Sequence, residues 1–136
     1  MDFLTRAKIV RLSGAVVSGS TNIDCTPEVD CTGYESAVIV ATFGTVVDAS
    51  VCGLKARLGD TAGVLSVAAT PAASFIASTS SQKQIAIEVL RPNGKLISAR
   101  IERATQNAAL ESCILCLFEH RQGPSAMGDL LDRAIG

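Results

Sequence analysis

Five cysteines and a single histidine are the residues of this chain best suited to nucleophilic, redox or metal chemistry. Cys113 and Cys116 have the C-x-x-C spacing that redox-active and zinc-binding pairs use. Such pairs need a turn or the start of a helix, whereas Cys113–Phe118 is an apolar run that predicts a β-strand. Because residues three apart on a strand point to opposite faces, we predict that the two thiols diverge and are structural.

The other three cysteines are Cys25, Cys31 and Cys52. An odd number of cysteines does not suit a disulfide framework, which normally uses an even number. Cys25 and Cys31 flank a proline-containing loop, so a disulfide between them is an alternative, although a reducing cytoplasm disfavours it. A free cysteine commonly behaves as a small buried hydrophobic residue. We therefore predict free, buried thiols.

Other catalytic and metal-binding arrangements lack essential parts in this sequence. A Ser-His-Asp or Cys-His site would have to use His120, which lies at the predicted end of the last strand without a second metal ligand nearby. No G-x-S-x-G motif or phosphate-binding glycine motif occurs. Asp24, Glu28 and Asp30 share a loop, but they do not have the spacing of a calcium loop. We predict no catalytic residues, no cofactor, no metal and no enzymatic activity.

Charge and hydropathy argue against nucleic-acid and membrane partners. Twelve basic and thirteen acidic residues give a net charge of −1, and no basic stripe of the kind that nucleic-acid-binding proteins carry is visible. The basic residues of 91–103 are interleaved with Glu88 and Glu102, which indicates a solvated face of mixed charge. The apolar runs are far shorter than the ~20 residues of a membrane helix. Residues 1–12 do not resemble a signal peptide, so we expect a soluble protein made in the cytoplasm.

Alternation of apolar and polar residues predicts β-strands along most of the chain. It occurs in 51–58, where the even positions are expected to face the core, and again in 85–89 and 97–102. Residues 91–94, Arg-Pro-Asn-Gly, are typical of a turn, so we predict that 84–103 is an antiparallel hairpin. Tyr34–Phe43 is continuously apolar at its centre, as in a strand that is covered on both faces.

The predicted fold is all-β: an antiparallel, jelly-roll-like sandwich of about eight strands. We divide the chain into an extended N-terminal arm (1–13), a β-sandwich domain (14–122) and a short C-terminal tail (123–136). The pattern of the first segment does not distinguish an arm from a short helix or an edge strand. Residues 64–81 are small and low in charge, and we interpret them as a loop or a weak edge strand within a long crossing connection.

The C-terminal tail carries an apolar stripe that follows the break at Gly123-Pro124. The spacing of three and four residues would place the stripe on one side of a helix, and a helix this short needs a surface to pack against. The stripe consists of Met127, Leu130, Leu131 and Ile135. Packing on its own sandwich is an alternative, but we predict docking on a neighbouring subunit. Two apolar residues of the N-terminal arm are further candidate contact residues: Phe3 and Leu4.

Four short motifs have an order that resembles a known family. They are Thr-Gly-Tyr-Glu at 32–35, Gly-Leu-Lys-Ala-Arg-Leu-Gly-Asp at 53–60, Val-Leu-Arg-Pro at 89–92 and Arg-Ala-Thr-Gln-Asn-Ala at 103–108. In this order the chain resembles the head-decoration, or cement, proteins of tailed bacteriophages over residues 30–122. The resemblance implies a jelly-roll protein that binds the outside of a capsid and stabilises the head. Its expected partner is the major capsid protein, and its expected location is the exterior of the virion.

Self-association is also expected, because the small, uncharged residues of 64–81 would otherwise leave a sheet edge uncovered. A homodimer is favoured and a homotrimer is the alternative. A jelly-roll module that binds glycans or a host surface is the second functional hypothesis. Sugar-binding platforms usually expose aromatic residues, and this chain has four Phe, one Tyr and no Trp. A hydrolase is the third hypothesis, and it lacks a general base.

Overall fold

The computed structural model describes residues 7–77, 83–92 and 95–118. These ranges contain ten β-strands and no helix, so they hold no helix that is long and apolar enough to cross a membrane. The strands are β1 (Ala7–Ser13), β2 (Val16–Gly19), β3 (Ile23–Asp24), β4 (Val29–Asp30), β5 (Ser36–Val46), β6 (Val51–Gly59), β7 (Ser66–Ile76), β8 (Lys83–Leu90), β9 (Leu96–Ala104) and β10 (Ala108–Phe118).

The strands form two antiparallel sheets that pack face to face. Sheet A has the order β1–β10–β5–β8, and β2 extends its edge by pairing with β10. Sheet B has the order β3–β9–β6–β7, and β4 also pairs with β9. Most neighbouring strands are distant in sequence, as expected of Greek-key connections. The predicted all-β, jelly-roll-like sandwich is therefore confirmed.

The core lies between the sheets and is filled by alternate residues of the central strands. In β6 the even positions Cys52, Leu54 and Ala56 are fully buried, which confirms the predicted face of this strand. Phe43 of β5 packs edge-to-face on Phe75 of β7, with ring centroids 5.5 Å apart. Burying a large apolar side chain stabilises the fold by roughly 1.5–3 kcal/mol. The Phe43–Phe75 contact therefore ties an edge strand of sheet B to the core.

The predicted hairpin of 84–103 is wrong, although its two strands and their faces are right. Ile87, Val89 and Ile97 are buried as the alternation requires. However, β8 pairs with β5 in sheet A, whereas β9 pairs with β6 in sheet B. A bond from the Lys95 N–H to the Pro92 carbonyl, 3.0 Å long, spans the connection between them. The connection therefore crosses from one sheet to the other, and the two strands lie on opposite sides of the core.

Two segments that the sequence left open are strands of the sandwich. Residues 66–76 form β7, which pairs with β6 at 66–67 and at 72–76 with a register shift between the two stretches, so this segment is an edge strand and not a loop. Residues 7–13 form β1, which pairs with β10. Of the three alternatives for the N-terminal segment, an edge strand is the one observed for these residues. The division into arm, sandwich and tail stays a prediction.

Candidate assembly interface

The C-x-x-C cysteines lie on opposite faces of sheet A, as predicted. Cys113 is fully buried and faces the core, whereas Cys116 is half-buried on the outer face. The thiol of Cys25 forms a hydrogen bond with that of Cys113, and this bond together with burial raises the pKa of Cys113. Burial also raises the pKa of Cys116. The thiols of Cys113 and Cys116 are therefore protonated at neutral pH and are poor nucleophiles.

All five cysteines are free in the structure, so the alternative Cys25–Cys31 disulfide is not formed. Burial raises the pKa of Cys31 to about 11. The Cys52 thiol lies 3.3 Å from the Ser50 hydroxyl, and burial raises its pKa as well. The buried cysteines therefore act as small core residues.

The three loop carboxylates that were considered for a cation are each engaged with protein groups. Asp24 accepts two bonds from the Arg100 guanidinium, at 2.7 and 3.0 Å, which lower the pKa of that carboxyl. Asp30 accepts from the backbone and hydroxyl of Thr32. Glu28 accepts from the Gly63 N–H at 2.9 Å. Within the described ranges, no group of three or more potential metal ligands occurs, and His120 lies outside these ranges.

The outer face of sheet B is charged at its centre, and the exposed apolar pair Val51 and Ile76 lies at one end of it. Arg100 of β9 stands between Asp24 of β3 and Lys55 of β6 in the strand register. Lys55 also approaches Glu102, with 3.4 Å between the ammonium nitrogen and a carboxylate oxygen. Opposite charges on neighbouring strands stabilise a sheet and interact well with water. This side of the sandwich has the character of a solvent-facing surface.

Arg103 does not belong to that charged face, contrary to the prediction of a solvated cluster over 91–103. It is only 5% exposed. Its guanidinium donates to the backbone carbonyls of Thr21, Val17 and Ala108, at 2.8, 2.9 and 2.8 Å. Burial lowers the pKa of Arg103. The residue joins the 17–21 segment to β9 and β10.

The outer face of sheet A is apolar. In the strand register, Cys116 of β10 lies between Ile9 of β1 and Val38 of β5, and Ile114 lies beside Val40. Ile9 is 53% exposed and Leu90 is 65% exposed, and the others are half-buried. We call this surface the apolar face. It comprises Ile9, Val38, Val40, Leu90, Ile114, Cys116 and Phe118.

Charged side chains of opposite sign flank the apolar face. Arg11 is exposed on β1, at one edge of the sheet, in register with Ile114. Glu88 is exposed on β8, at the other edge, in register with Val38. The Ser36 hydroxyl donates to a Glu88 carboxylate oxygen at 2.7 Å and so holds that side chain over the face. One edge of the apolar face is therefore basic and the other is acidic.

The apolar face accounts for the continuous apolar run of 34–43 in a way that the sequence prediction missed. Ala37, Ile39 and Ala41 are buried in the core, but Val38 and Val40 are half-buried on the outer face. The described residues cover one face of β5 fully and the other only in part. The sequence signal for this surface was present, because two strands, β5 and β10, both have apolar residues at outward positions.

The predicted contact residues of the two chain ends lie outside the described residues and stay predictions. They are Phe3, Leu4, Met127, Leu130, Leu131 and Ile135. The structure does show where the chain approaches these segments. Ala7 and Phe118 are register partners at the same end of β1 and β10. Residues 1–6 and 119–136 therefore join the sandwich at one corner of sheet A.

Comparison with known proteins identifies the fold. No family model matches the chain, and neither does any curated protein. Among solved structures, a chain of infectious bursal disease virus strain Gt aligns with a TM-score of 0.56 and 13% identity, over 89% of this chain and 35% of the viral one. The VP2 subviral particle of the same virus aligns with a TM-score of 0.53 and 11% identity, over 89% of this chain and 34% of the viral one.

A non-viral protein has the same architecture. The TNF Eiger of S. frugiperda aligns with a TM-score of 0.54 and 6% identity, over 83% of this chain and 92% of that one. The present chain spans about a third of the length of the viral chains that it matches. At these identities the comparisons demonstrate a β-sandwich shared with viral capsid proteins, and they demonstrate the fold alone.

Proposed function

We propose that this chain is a non-enzymatic structural protein of a virion, and more specifically a decoration or cement protein. It binds the outer surface of a bacteriophage capsid through the major capsid protein and stabilises the head. The observation that carries the proposal is the difference between the two outer faces of the sandwich. The centre of one face is charged and suited to water, whereas the centre of the other is apolar and suited to contact with protein.

Leaving apolar surface in water costs free energy. Side chains such as Ile9 and Leu90 lose roughly 25 cal/mol of favourable transfer energy for each Å² that stays exposed. Scattered exposed apolar residues are normal, but a contiguous apolar patch rimmed by polar residues marks an interaction site. The apolar face has this form, with Arg11 and Glu88 at its rim. A protein that works by assembly has a use for such a surface.

Two further observations support a role in a virion. The fold is one that viral capsid proteins use, although a TNF uses it as well. The two chain ends that carry the predicted contact residues meet the sandwich at one corner. Extensions that leave from one corner can bind the same neighbouring surface together. Several modest contacts of this kind add up through multivalency when many copies decorate a shell.

The glycan-binding alternative receives less support. Sugar platforms expose aromatic rings, but the aromatic residues of the described ranges are buried or half-buried. These residues are Tyr34, Phe43, Phe75 and Phe118.

The test is reconstitution on phage heads that lack this protein. Purified full-length protein is mixed with such heads, the mixture is sedimented through a cushion, and the bound copies are counted against the capsid protein. The proposal predicts saturable binding at a fixed stoichiometry and heads that withstand higher temperature. A lysozyme-sized β-protein of similar charge serves as the control for trapping. Absence of binding at saturating protein, together with absence of the chain from purified virions, would overturn the proposal.

A further inference from the structure

We infer that the apolar face is the interface of a symmetric dimer, in which a second copy of this chain covers it. The inference does not depend on the proposed role in a virion. It assigns the apolar face to a second copy of this chain and leaves contact with a capsid to the two chain ends that carry the predicted contact residues. It rests on the distribution of apolar and charged residues across sheet A. A two-fold interface uses the same patch on both subunits, so the patch must be complementary to itself.

The centre of the patch meets this requirement through its apolar residues. β10 and β5 are the central strands of sheet A, and their outward residues Ile114, Cys116, Val38 and Val40 form two adjacent rows. Apolar rows of this kind are complementary to themselves in any relative orientation. Two such sheets pack about 10 Å apart with aligned strands, as in a β-sandwich.

The charged residues at the rim select one orientation. Arg11 lies on β1 and Glu88 lies on β8, at opposite edges of the sheet. A two-fold axis parallel to the strands, in the plane between the two copies, places β1 of one copy over β8 of the other. Arg11, in the row of Ile114 and Val40, then lies over β8 of the partner subunit, one row from Glu88. The offset is two residues, about 7 Å along the strand, a diagonal that long charged side chains can span, and this pair occurs twice. An axis perpendicular to the strands in the same plane would place each edge over its own equivalent, with like charges facing each other.

The charged residues at the rim also favour a second copy over the chain's own tail as the segment that covers the apolar face. A tail helix would offer its apolar stripe to the centre of the face, but it would not provide a matched acidic and basic group at the two edges. A second copy provides both groups by symmetry. The axis parallel to the strands also places the two Ala7–Phe118 corners at the same end of the dimer. Both ends of each chain would then leave the described residues at that end of the dimer.

The first test places a charge at the centre of the face. Light scattering and sedimentation equilibrium should give a dimer for the native protein at about 10 µM, a concentration well above the dissociation constant of an ordinary stable dimer. Val40→Arg should weaken the dimer by at least about a hundredfold, because an unpaired charge would be buried in apolar surroundings. The matched control is Ser74→Arg, an equal change at an exposed position on the outer face of sheet B. The control should dimerise normally, and circular dichroism should show that both variants are folded.

The second test exchanges the rim charges. Arg11→Glu and Glu88→Arg should each weaken the dimer by about tenfold, because each brings like charges close together on facing edges. The double variant restores opposite charges and should return to within about threefold of the native protein. If the double variant weakens the dimer by as much as the two single variants together, the proposed orientation is wrong.

Cys116 provides an independent readout of the covered face. Cys25, Cys31, Cys52 and Cys113 are buried in the core, so a thiol reagent applied to the folded chain reports mainly on Cys116. Labelling of Cys116 should be slow in the native dimer and faster in Val40→Arg. Native protein that is monomeric at about 0.1 mM, or labelling that is equally fast in both proteins, would overturn the inference.

A final variant separates the second copy from the tail. Leu130→Ala combined with Leu131→Ala removes two residues of the apolar stripe in the full-length chain. If a second copy covers the apolar face, the dissociation constant of the dimer and the protection of Cys116 should stay unchanged. If the tail is the occupant, Cys116 should become accessible in this variant while the oligomeric state stays that of the native protein, and the dimer inference would be wrong.

Discussion

Replacing Arg103 with methionine should be among the most damaging substitutions of a charged residue in this protein. The guanidinium is 5% exposed and donates to three backbone carbonyls that belong to the 17–21 segment and to β10. Methionine keeps the unbranched stem and its packing but removes all three donors. The segment that contains β2 would keep its backbone pairing with β10 but lose its side-chain attachment to β9.

The loss of stability follows from the three carbonyl groups that Arg103→Met leaves without a donor. A buried acceptor without a donor costs about 1–3 kcal/mol, so three acceptors set an upper range of about 3–9 kcal/mol. The methionine variant also avoids the desolvation penalty of burying a guanidinium, which amounts to several kcal/mol. Water can reach the carbonyls of the exposed residues Val17 and Thr21. We therefore expect Arg103→Met to reduce the free energy of unfolding by about 3 kcal/mol.

The control is Arg100→Met, three residues earlier on the same strand. Arg100 makes a surface ion pair with Asp24, and exposed pairs contribute about 0.2–1 kcal/mol. Urea unfolding of both variants at pH 7 and one fixed protein concentration gives the comparison, since the unfolding of a dimer depends on concentration. If the two variants differ by less than about 1 kcal/mol, the carbonyl bonds of Arg103 are not the source of its stabilisation and the reasoning is refuted.

A second substitution tests the same contact from the opposite side. A Cβ atom built on Gly19 would lie 3.0 Å from a terminal nitrogen of the Arg103 guanidinium. Gly19→Ala should therefore displace the guanidinium and destabilise the fold. In a double-mutant cycle, Gly19→Ala should cost clearly less in the Arg103→Met background than in the native protein. Equal costs in the two backgrounds would contradict a direct contact.

Three further predictions concern backbone strain, pH and the tail. Thr105 has a φ of 71°, which a β-branched residue rarely adopts. Thr105→Gly should therefore raise the free energy of unfolding by about 1 kcal/mol. An unchanged or lower melting temperature would contradict this prediction. The bond from Arg100 lowers the pKa of Asp24 below its ordinary 3.8, so the stabilisation is present above that value and is lost as the pH falls through the lower, folded-state pKa. Asp24→Asn should therefore be less stable than the native protein at pH 7 by under about 1 kcal/mol, and denaturant titrations should show this difference vanishing in acid. The double change Leu130→Ala, Leu131→Ala should reduce retention on phage heads, by up to about 1.5–3 kcal/mol for each buried leucine, and leave thermal unfolding unchanged; the reverse outcome would make the tail part of its own subunit's core.

The strands and their inward faces could be predicted from the sequence because the period of two is a local property. Alternation in 51–58 correctly assigned the buried side of β6, and alternation in 85–89 and 97–102 did the same for β8 and β9. The opposite directions of Cys113 and Cys116 followed from the same rule. None of these inferences required knowledge of which strand lies beside which.

Pairing between strands was decided by the tertiary structure. A turn between two alternating segments suggested a hairpin, yet β8 pairs with β5 in sheet A and β9 pairs with β6 in sheet B. Alternation identifies the buried face of a strand but not the strand that lies beside it. β7 has little local strand signal in its small residues. Its pairing with β6 and the packing of Phe75 on Phe43 make it a strand. Where the local strand propensity is weak, such long-range contacts decide whether a segment forms a strand.

The apolar face and the buried Arg103 show the same division between what the sequence determines and what the tertiary structure determines. The sequence determined that β5 and β10 are apolar on both sides, since the runs 37–41 and 113–118 contain no charged residue. Only the tertiary structure placed these strands next to each other, with Arg11 and Glu88 at opposite edges, and so created one apolar face. In the same way, a charged residue at 103 was evident from the sequence, but its burial depends on carbonyls from residues 17 and 21. Neighbouring residues in the chain determine which faces of a strand are apolar, and residues far away in sequence determine which groups that strand contacts.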